Sequence, residues 1–317
     1  MNASSFLEKE NACKLLYESA VRGGLRFYHV CTPGTNQFII FENSEHYAMG
    51  MTAAATSAHD AGVTIITFEL MSNHVHFILR CMSLDQALTF FSLFKRRLSR
   101  MLSGAGNIRD LSHFDCGDPI VIDSLESLRN HILYTNRNNY VVDPSQTPFS
   151  YPYGANPYYF NPWAKAEQGI RLGSLSNRAK IRVLRTKNTA YPDAFLVTQY
   201  GISPSSFCDI KFGEKVFRDA RHYFNKLSKD IESYKELSEM LQDLAFYTDD
   251  ELVGIVYSMS FNMFGQKKPA LLTAEQKTMM AKELRYGYNS DIRKISRLLH
   301  IPEQTLAELF PAAKTAA

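Results

Sequence analysis

The apolar positions in the first half of the chain change repeatedly between a spacing of two and a spacing of three to four residues. The first spacing predicts strands and the second predicts amphipathic helices. The predicted strands are residues 26–32, 37–41, 63–70 and 74–80, and the predicted helices are residues 44–61, 84–102 and 124–133. Turn-forming residues at 33–36 predict a hairpin between the first two strands. The alternation predicts an α+β fold, an antiparallel sheet with packed helices.

The second half is predicted to be mostly helical. A loop rich in aromatic residues and prolines, residues 147–163, cannot form a long regular element, and its aromatic rings could either stack on bases or pack over the core. We place a domain boundary at its end, so that residues 1–163 form one domain and residues 164–317 a second, helical, possible DNA-binding domain. Residues 195–208 and 290–310 each have the pattern of a helix-turn-helix, and each could equally be a plain helical connection.

Composition narrows the class of protein. The chain has 317 residues, a net charge of +3 and no apolar stretch near the ~20 residues needed to span a bilayer. We therefore expect a cytoplasmic protein with no membrane partner. The cysteines show no CxxC spacing, which indicates neither a zinc motif nor a disulfide framework.

The charge is unevenly placed. Residues 171–229 hold twelve lysines or arginines against four acidic residues, whereas residues 230–251 hold eight acidic residues against one lysine. The basic segment could lie along a phosphate backbone, and a solvated surface is the alternative.

Two histidines, His74 and His76, stand one residue apart at the start of a predicted strand. Side chains at i and i+2 of a strand share a face, so the two imidazoles are expected to point the same way. Neutral imidazole is a good ligand for divalent metals, and the pair predicts a metal site that needs at least one more ligand. The alternative is one buried and one surface histidine.

The helix predicted at residues 124–133 leads into Tyr134 and Asn138. If the helix continues, these two side chains share a face because they are four residues apart. A tyrosine hydroxyl beside a metal could act as a nucleophile, and the amide oxygen of Asn138 could supply a third ligand. Tyr134 could instead simply pack against the sheet.

These motifs occur in a recognisable order. Phe-Tyr-His-Val at 27–30, Asn-His-Val-His at 73–76, a basic run at 95–100 and Tyr-x-x-x-Asn at 134–138 together resemble the HUH single-tyrosine transposases, in particular the REP-associated tyrosine transposases. The resemblance covers about residues 25 to 155. The chain departs from the family in having Ser72 in place of the usual proline before the histidine motif, and Asn138-Asn139 in place of the usual Asn-Pro.

The resemblance implies an HUH endonuclease-like fold and a metal-dependent nickase and strand transferase acting on single-stranded or hairpin DNA. It implies that Tyr134 is the nucleophile of a 5′-phosphotyrosine intermediate, and that His74, His76 and Asn138 bind a divalent metal, Mg²⁺ or Mn²⁺. The protein could act as a homodimer. The cations expected to contact DNA are Lys95, Arg96, Arg97, Arg100 and Arg137.

Two other functions fit the same residues. A non-catalytic nucleic-acid-binding regulator derived from a transposase would keep the fold without the activity. A small-molecule metallohydrolase would use the same histidines, but it leaves Tyr134 and the basic segments unexplained.

Overall fold

A four-stranded antiparallel sheet organises the first part of the chain. The computed structural model describes residues 3–32, 39–106, 111, 114–142, 150–229, 249–286, 290 and 292–310. The sheet has the order β2-β3-β1-β4. Its strands are β1 (Arg26–Cys31), β2 (Thr64–Leu70), β3 (Val75–Cys81) and β4 (Ile120–Ile122). The predicted α+β class with an antiparallel sheet is confirmed.

Four long helices accompany the sheet. They are α1 (Ala3–Arg22), α2 (Ser44–Ala61), α3 (Leu84–Gly104) and α4 (Leu125–Val142). Helix α2 ends at Gly62, which takes the left-handed conformation with φ 65°, and its N-cap is Asn43. Helix α4 continues through Tyr134 and Asn138, as the site prediction requires.

One predicted strand is wrong within the described residues. Residues 39–41, the end of the strand predicted at 37–41, are outside any strand. The amide groups of Ile40 and Phe41 instead donate to the carbonyl of Ser72, so this segment folds over the turn that precedes β3. The turn predicted at 33–36 lies outside the described residues.

The two faces of the sheet are covered by different helices. Phe77 on β3 packs against Phe90 and Phe94, which places α3, together with α2, on one face. On the other face, Phe27 of β1 stacks between Tyr17 of α1 and Phe212. Helix α4 lies on this second face, since its side chains meet strand residues of the same alternation as Phe27.

The rest of the chain adds short elements and a helical unit. The short elements are α5 (Pro162–Lys165), β5 (Ile170–Arg171), α6 (Asn177–Leu184), β6 (Leu196–Thr198), β7 (Gly201–Ile202), α7 (Ile210–Lys215) and α8 (Ala220–Lys229). The helical unit contains α9 (Asp249–Phe264), α10 (Ala274–Tyr286), α11 (Ile292–Leu299) and α12 (Glu303–Leu309). No helix among the described residues is long and apolar enough to cross a membrane.

The two helix-turn-helix predictions have different outcomes. Residues 195–208 are wrongly predicted, because β6 and β7 pair as an antiparallel hairpin with Val197 opposite Ile202. In the segment 290–310, α11 and α12 do form two helices joined by a short turn, in which His300 has a positive φ of 53°. Residue 291 and most of the acidic run at 230–251 lie outside the described residues.

The described part of the aromatic loop packs on the core. Tyr159 is fully buried and donates to the carbonyl of Ile66 at 3.0 Å, while Tyr151 donates to the carbonyl of Leu70. Tyr47 and Tyr153 stack with ring centroids 4.0 Å apart. Trp163 is the exception, with 85% of its surface exposed.

Hydrophobic packing unites residues on both sides of position 164. Ile210, Phe212 and Tyr223 belong to the same core as the four-stranded sheet. A separate cluster unites α9 to α12 and includes Met71 from the turn between β2 and β3. The predicted division into residues 1–163 and residues 164–317 stays a prediction.

His222 makes the stability of the first core sensitive to acid. Burial, together with the positive charges of Arg218 and Arg129, lowers its pKa to about 4, and its Nδ1 accepts a hydrogen bond from the amide of Arg218. The unfolded chain takes up this proton near pH 6.5, so the stabilisation is complete above that pH and is lost as the pH falls toward 4. We expect a loss of about 2 kcal/mol, less than the full pKa difference because solvent screens the nearby cations.

Urea unfolding at pH 7 and at pH 4.5, compared between the wild type and His222→Gln, measures this effect. The variant should lose less stability on acidification than the wild type does. Equal losses in the two proteins would show that His222 does not carry the pH dependence.

Candidate functional site

Helix α4 is anchored at its N-terminal half by Arg129. This buried guanidinium donates to Glu10 on α1 at 2.7 Å, and its Nε donates to the carbonyl of Val216 at 2.7 Å. The hydrogen bond from Arg129 lowers the pKa of the Glu10 carboxyl. A buried charge must be paired, so removing either partner would leave a costly unpaired ion. Arg129 thus fixes the position of α4 against α1 and the end of α7.

A second anchor lies further along α4. The hydroxyl of Thr67 on β2 donates to the amide oxygen of Asn136, whose amide nitrogen donates to the hydroxyl of Tyr223 at 2.8 Å. Tyr223 in turn donates to Asn156 at 2.7 Å, and Asn156 donates to the carbonyl of Asn136 at 2.7 Å. This closed network sets the rotation of α4 over the sheet.

Beneath α4 the sheet presents polar side chains instead of apolar ones. Strand β1 contributes His29 and Cys31, and the residue directly opposite Cys31 on β3 is His76. On β2, Glu69 is directly opposite His76. Because paired residues share a face, these four side chains line one patch, which we call the polar patch. His29, His76 and Glu69 are all buried.

Three histidines form a chain of hydrogen bonds between α4 and the polar patch. Nδ1 of His131 lies 2.9 Å from Nδ1 of His29, and Nε2 of His29 lies 3.0 Å from Nδ1 of His76. Burial, with a further contribution from the charge of His76, lowers the pKa of His131 to about 4, so His131 is neutral at pH 7. Through these bonds, His29 orients the ring of His76.

Tyr134 lies beside this chain. Its ring centroid is 5.5 Å from that of His76 and 6.1 Å from that of His29. Only 2% of Tyr134 is exposed, so the phenol sits between α4 and the sheet. The structure thus places the predicted nucleophile next to one of the predicted metal ligands.

His74 also lies close to His76, but it is not part of the strand as predicted. It lies in the turn before β3, where its carbonyl accepts from the amide of Met71, and its Nδ1 is 2.8 Å from Oδ1 of Asn73. The expectation that His74 belongs to the strand is wrong. Its ring nevertheless lies 4.9 Å from that of His76, almost perpendicular to it.

The remaining predicted site residues on α4 are Arg137 and Asn138. Both are buried, and Asn138 lies one turn beyond Tyr134 on the same helix face. Asn138 and Tyr134 therefore lie on the same side of α4.

One group of side chains in the polar patch could hold a metal ion. The ligand atoms of His29, Cys31 and His76 all lie within 4.8 Å of one another. Within the described residues, His74 is not part of this group. Two imidazoles and a thiolate suit borderline or soft ions such as Zn²⁺, whereas Mg²⁺ prefers oxygen ligands. The predicted metal site is thus supported in its general position, and its ligands and ion stay open.

The predicted DNA-contacting cations of α3 lie on the other side of the sheet. Lys95 pairs with Asp115 at 2.7 Å, and Arg97 pairs with Asp60 and donates to Ser57 at 3.0 Å. Because α3 covers the face opposite to α4, its cations lie across the sheet from Tyr134, and their contact with DNA stays a prediction. Arg96 and Arg100 share this position.

Sequence reasoning gave no site role to four residues of the site, of which His29 was part of a motif and the other three were not singled out: His29, Cys31, Glu69 and His131. His29 with Cys31 and Thr67 with Glu69 show the same i, i+2 polar spacing in apolar strands that drew attention to His76. This i, i+2 spacing is the sequence signal that could have identified His29, Cys31 and Glu69. The register that brings β1 and β2 beside β3, and the position of His131 over His29, were not evident from spacing alone.

Comparison of the chain with protein-family models, with curated proteins and with solved structures finds no match to any of them. The resemblance to HUH transposases therefore rests on the sequence motifs alone.

Substitution of Cys31 distinguishes the two possible sets of metal ligands. One set is His29, Cys31 and His76, and the other is His74, His76 and Asn138. If His29, Cys31 and His76 bind Zn²⁺, Cys31→Ser should weaken zinc binding by at least roughly tenfold, since even changes outside the ligand set cost that much. Substituting Co²⁺ should give a thiolate charge-transfer band in the wild type that the variant lacks.

The matched control is Cys116→Ser, because Cys116 is similarly half-buried and lies outside the cluster. Metal binding that survives Cys31→Ser but is lost in His74→Ala would assign the ion to the His74, His76 and Asn138 set instead.

Proposed function

We propose that this protein is a metal-dependent single-strand DNA nickase and strand transferase that uses Tyr134 as its nucleophile. The observation that carries the proposal is the position of Tyr134 beside His76 and His29, inside a buried polar patch. A sheet face under a helix is ordinarily apolar, and concentrated buried polar groups are typical of catalytic sites. The order of the sequence motifs supports the same reaction.

The chemistry follows from the side chains. The Tyr134 oxygen attacks a backbone phosphorus, a phosphorus–oxygen bond to the tyrosine forms, and the bond to the 3′ oxygen of the preceding nucleotide breaks. The phenol proton must leave, and a neutral imidazole of the histidine chain is a suitable acceptor. The departing 3′ oxygen takes up a proton. Attack by a 3′-hydroxyl on the phosphotyrosine reverses these steps and joins a strand.

The polar patch also fits a divalent cation. Such an ion would offset the negative charge of the scissile phosphate. His76 belongs to both ligand sets: one with His29 and Cys31, the other with His74 and Asn138. The predicted Mg²⁺ or Mn²⁺ agrees better with the set that includes the amide oxygen of Asn138, and a softer ion agrees better with the set that includes the thiolate.

Burial of the nucleophile sets a condition on the reaction. Tyr134, His74 and His76 are all nearly inaccessible, so a DNA strand reaches them only when the covering segments move. Met71, in the turn that carries His74, packs in the hydrophobic cluster of α9 to α12.

The same burial favours the second candidate function, a nucleic-acid-binding regulator that has kept the fold and lost catalysis. In that protein Tyr134 would only fill the space between α4 and the sheet. The two functions differ in whether a covalent bond to DNA ever forms.

Incubation with end-labelled single-stranded DNA hairpins tests the nickase. With Mn²⁺ or Zn²⁺ present, the wild type should form a covalent protein–DNA adduct that survives denaturing electrophoresis. Tyr134→Phe should abolish it, and His76→Ala should slow its formation by about 10²-fold, a typical cost of removing one electrostatic contact to the transition state. EDTA should prevent it.

Tyr28→Phe is the matched control, because Tyr28 is also a buried tyrosine but lies on β1 and on the opposite face of the sheet. It should form adduct like the wild type. Hairpin binding by the wild type with no adduct under any metal condition would favour the regulator. Turnover of small phosphoesters without any adduct would point to a metallohydrolase.

A further inference from the structure

A small basic pocket lies on the face of the sheet that faces away from Tyr134. It has a volume of about 140 Å³ and lies between α3 and the chain that follows α6. Among the described residues, its lining contains four arginines and no acidic residue: Arg96, Arg97, Arg100 and Arg185. Nothing in the proposed nicking chemistry uses these side chains.

Two of the four arginines are held in place by acidic partners outside the pocket. Arg97 pairs with Asp60, which also accepts a hydrogen bond from the hydroxyl of Tyr191 at 3.2 Å. Arg185 pairs with Glu45 at the start of α2. These pairs neutralise two charges and position the guanidinium groups at the pocket wall.

The other two arginines are not neutralised in this way. Arg96 and Arg100 are exposed residues on successive turns of α3, and no ion pair within the described part of the chain includes either. Residues four apart lie on the same helix face, so both cations line the same opening. The pocket therefore carries an excess of about two positive charges.

The opposite wall is built by a sharp change in chain direction. Arg185 ends α6 in the left-handed conformation with φ 53°, which is uncommon for a residue with a side chain. The chain then brings Thr186 and Asn188 to the pocket. Their polar groups add donors beside the guanidinium groups.

Size and chemistry together indicate the ligand. A water molecule takes about 30 Å³, so this volume holds a few waters or one phosphate group but no stacked base pair. Planar guanidinium groups recognise phosphate oxygens through paired hydrogen bonds. Tyr191 is buried in the wall and offers no free ring face for stacking on a base, which favours a backbone contact.

We propose that this pocket binds one backbone phosphate of a DNA strand, on the sheet face opposite the nicking site. The contact holds DNA independently of its base sequence, and it places part of the bound strand on the far side of the sheet from Tyr134. This inference rests on the proposed binding of DNA, but it requires neither the metal nor nicking.

The test measures binding of fluorescent single-stranded DNA in EDTA, with Tyr134→Phe as the background so that no strand is cut. Adding Arg96→Ala and Arg100→Ala should lower the affinity and reduce the slope of log affinity against log salt by about 0.7 for each phosphate that is no longer neutralised. Arg96→Lys with Arg100→Lys keeps the charge but not the paired hydrogen bonds. The DNA affinity of this variant should lie between that of the parent and that of the double alanine variant. Circular dichroism should show unchanged folding, since both positions are exposed.

The control removes two nearby exposed cations outside the pocket, Arg178 and Lys187, by alanine substitution. The proposal requires this control to retain the parent slope, and inorganic phosphate to compete with DNA more strongly than chloride of equal ionic strength. The proposal is overturned if the Arg96→Ala/Arg100→Ala variant and the Arg178/Lys187 control lose the same affinity for DNA. It is also overturned if neither of these two variants loses affinity. Phosphate binding that is abolished in Arg96→Ala/Arg100→Ala without any change in DNA affinity would identify a free-anion site and overturn the DNA assignment. Failure to form the covalent adduct would leave this measurement unaffected.

Discussion

The packing of α4 across a polar sheet face is the constraint on which the candidate site depends. Arg129 and Asn136 hold the helix at two points, through ion pairs to α1 and through a closed amide and hydroxyl network to β2 and α8. Between these anchors the helix presents His131 and Tyr134 to the sheet. Burying so many polar groups is unfavourable unless they are mutually satisfied, so the anchors stabilise an arrangement that apolar packing alone would not maintain.

His76 is the side chain that connects the parts of this site. Its Nδ1 meets His29, its ring meets those of His74 and Tyr134, and its strand position sets it opposite Cys31 and Glu69. An imidazole has two nitrogens, and the one engaged by a neighbour determines how the other is used. His29 therefore positions His76. Any metal or proton chemistry at His76 depends on the hydrogen-bonded series of His76, His29 and His131.

Local patterns predicted the elements well. The strands that became β1 to β3 and the helices that became α2 and α3 follow from hydrophobic spacing within one segment, as does the first half of α4. The continuation of α4 through Tyr134 was only a condition of the site prediction. The closeness of His74 and His76 could also be predicted, although His74 lies in a turn.

The failures concern relations between distant segments. His29 and Cys31 join the site through the register of β1 against β3, and spacing within one strand does not determine register. The position of the α3 cations across the sheet from Tyr134 could not be predicted either, because the face that α3 covers depends on handedness and packing. Their contact with DNA stays a prediction. The hairpin of β6 and β7 replaces a predicted helix because tertiary packing of Ile202 and Val197 overrides a weak local pattern.

The central claim is that Tyr134 is the nucleophile, and the most direct test identifies the residue that becomes bound to DNA. Cleavage after Arg129 and Arg137 releases the peptide of residues 130–137, in which Tyr134 is the only tyrosine. After reaction with single-stranded DNA and digestion by nuclease and trypsin, mass spectrometry should find this peptide carrying a nucleotide, with fragment ions that place the modification on Tyr134. A nucleotide found on a different tyrosine, or on no peptide although the DNA is bound, would contradict the account.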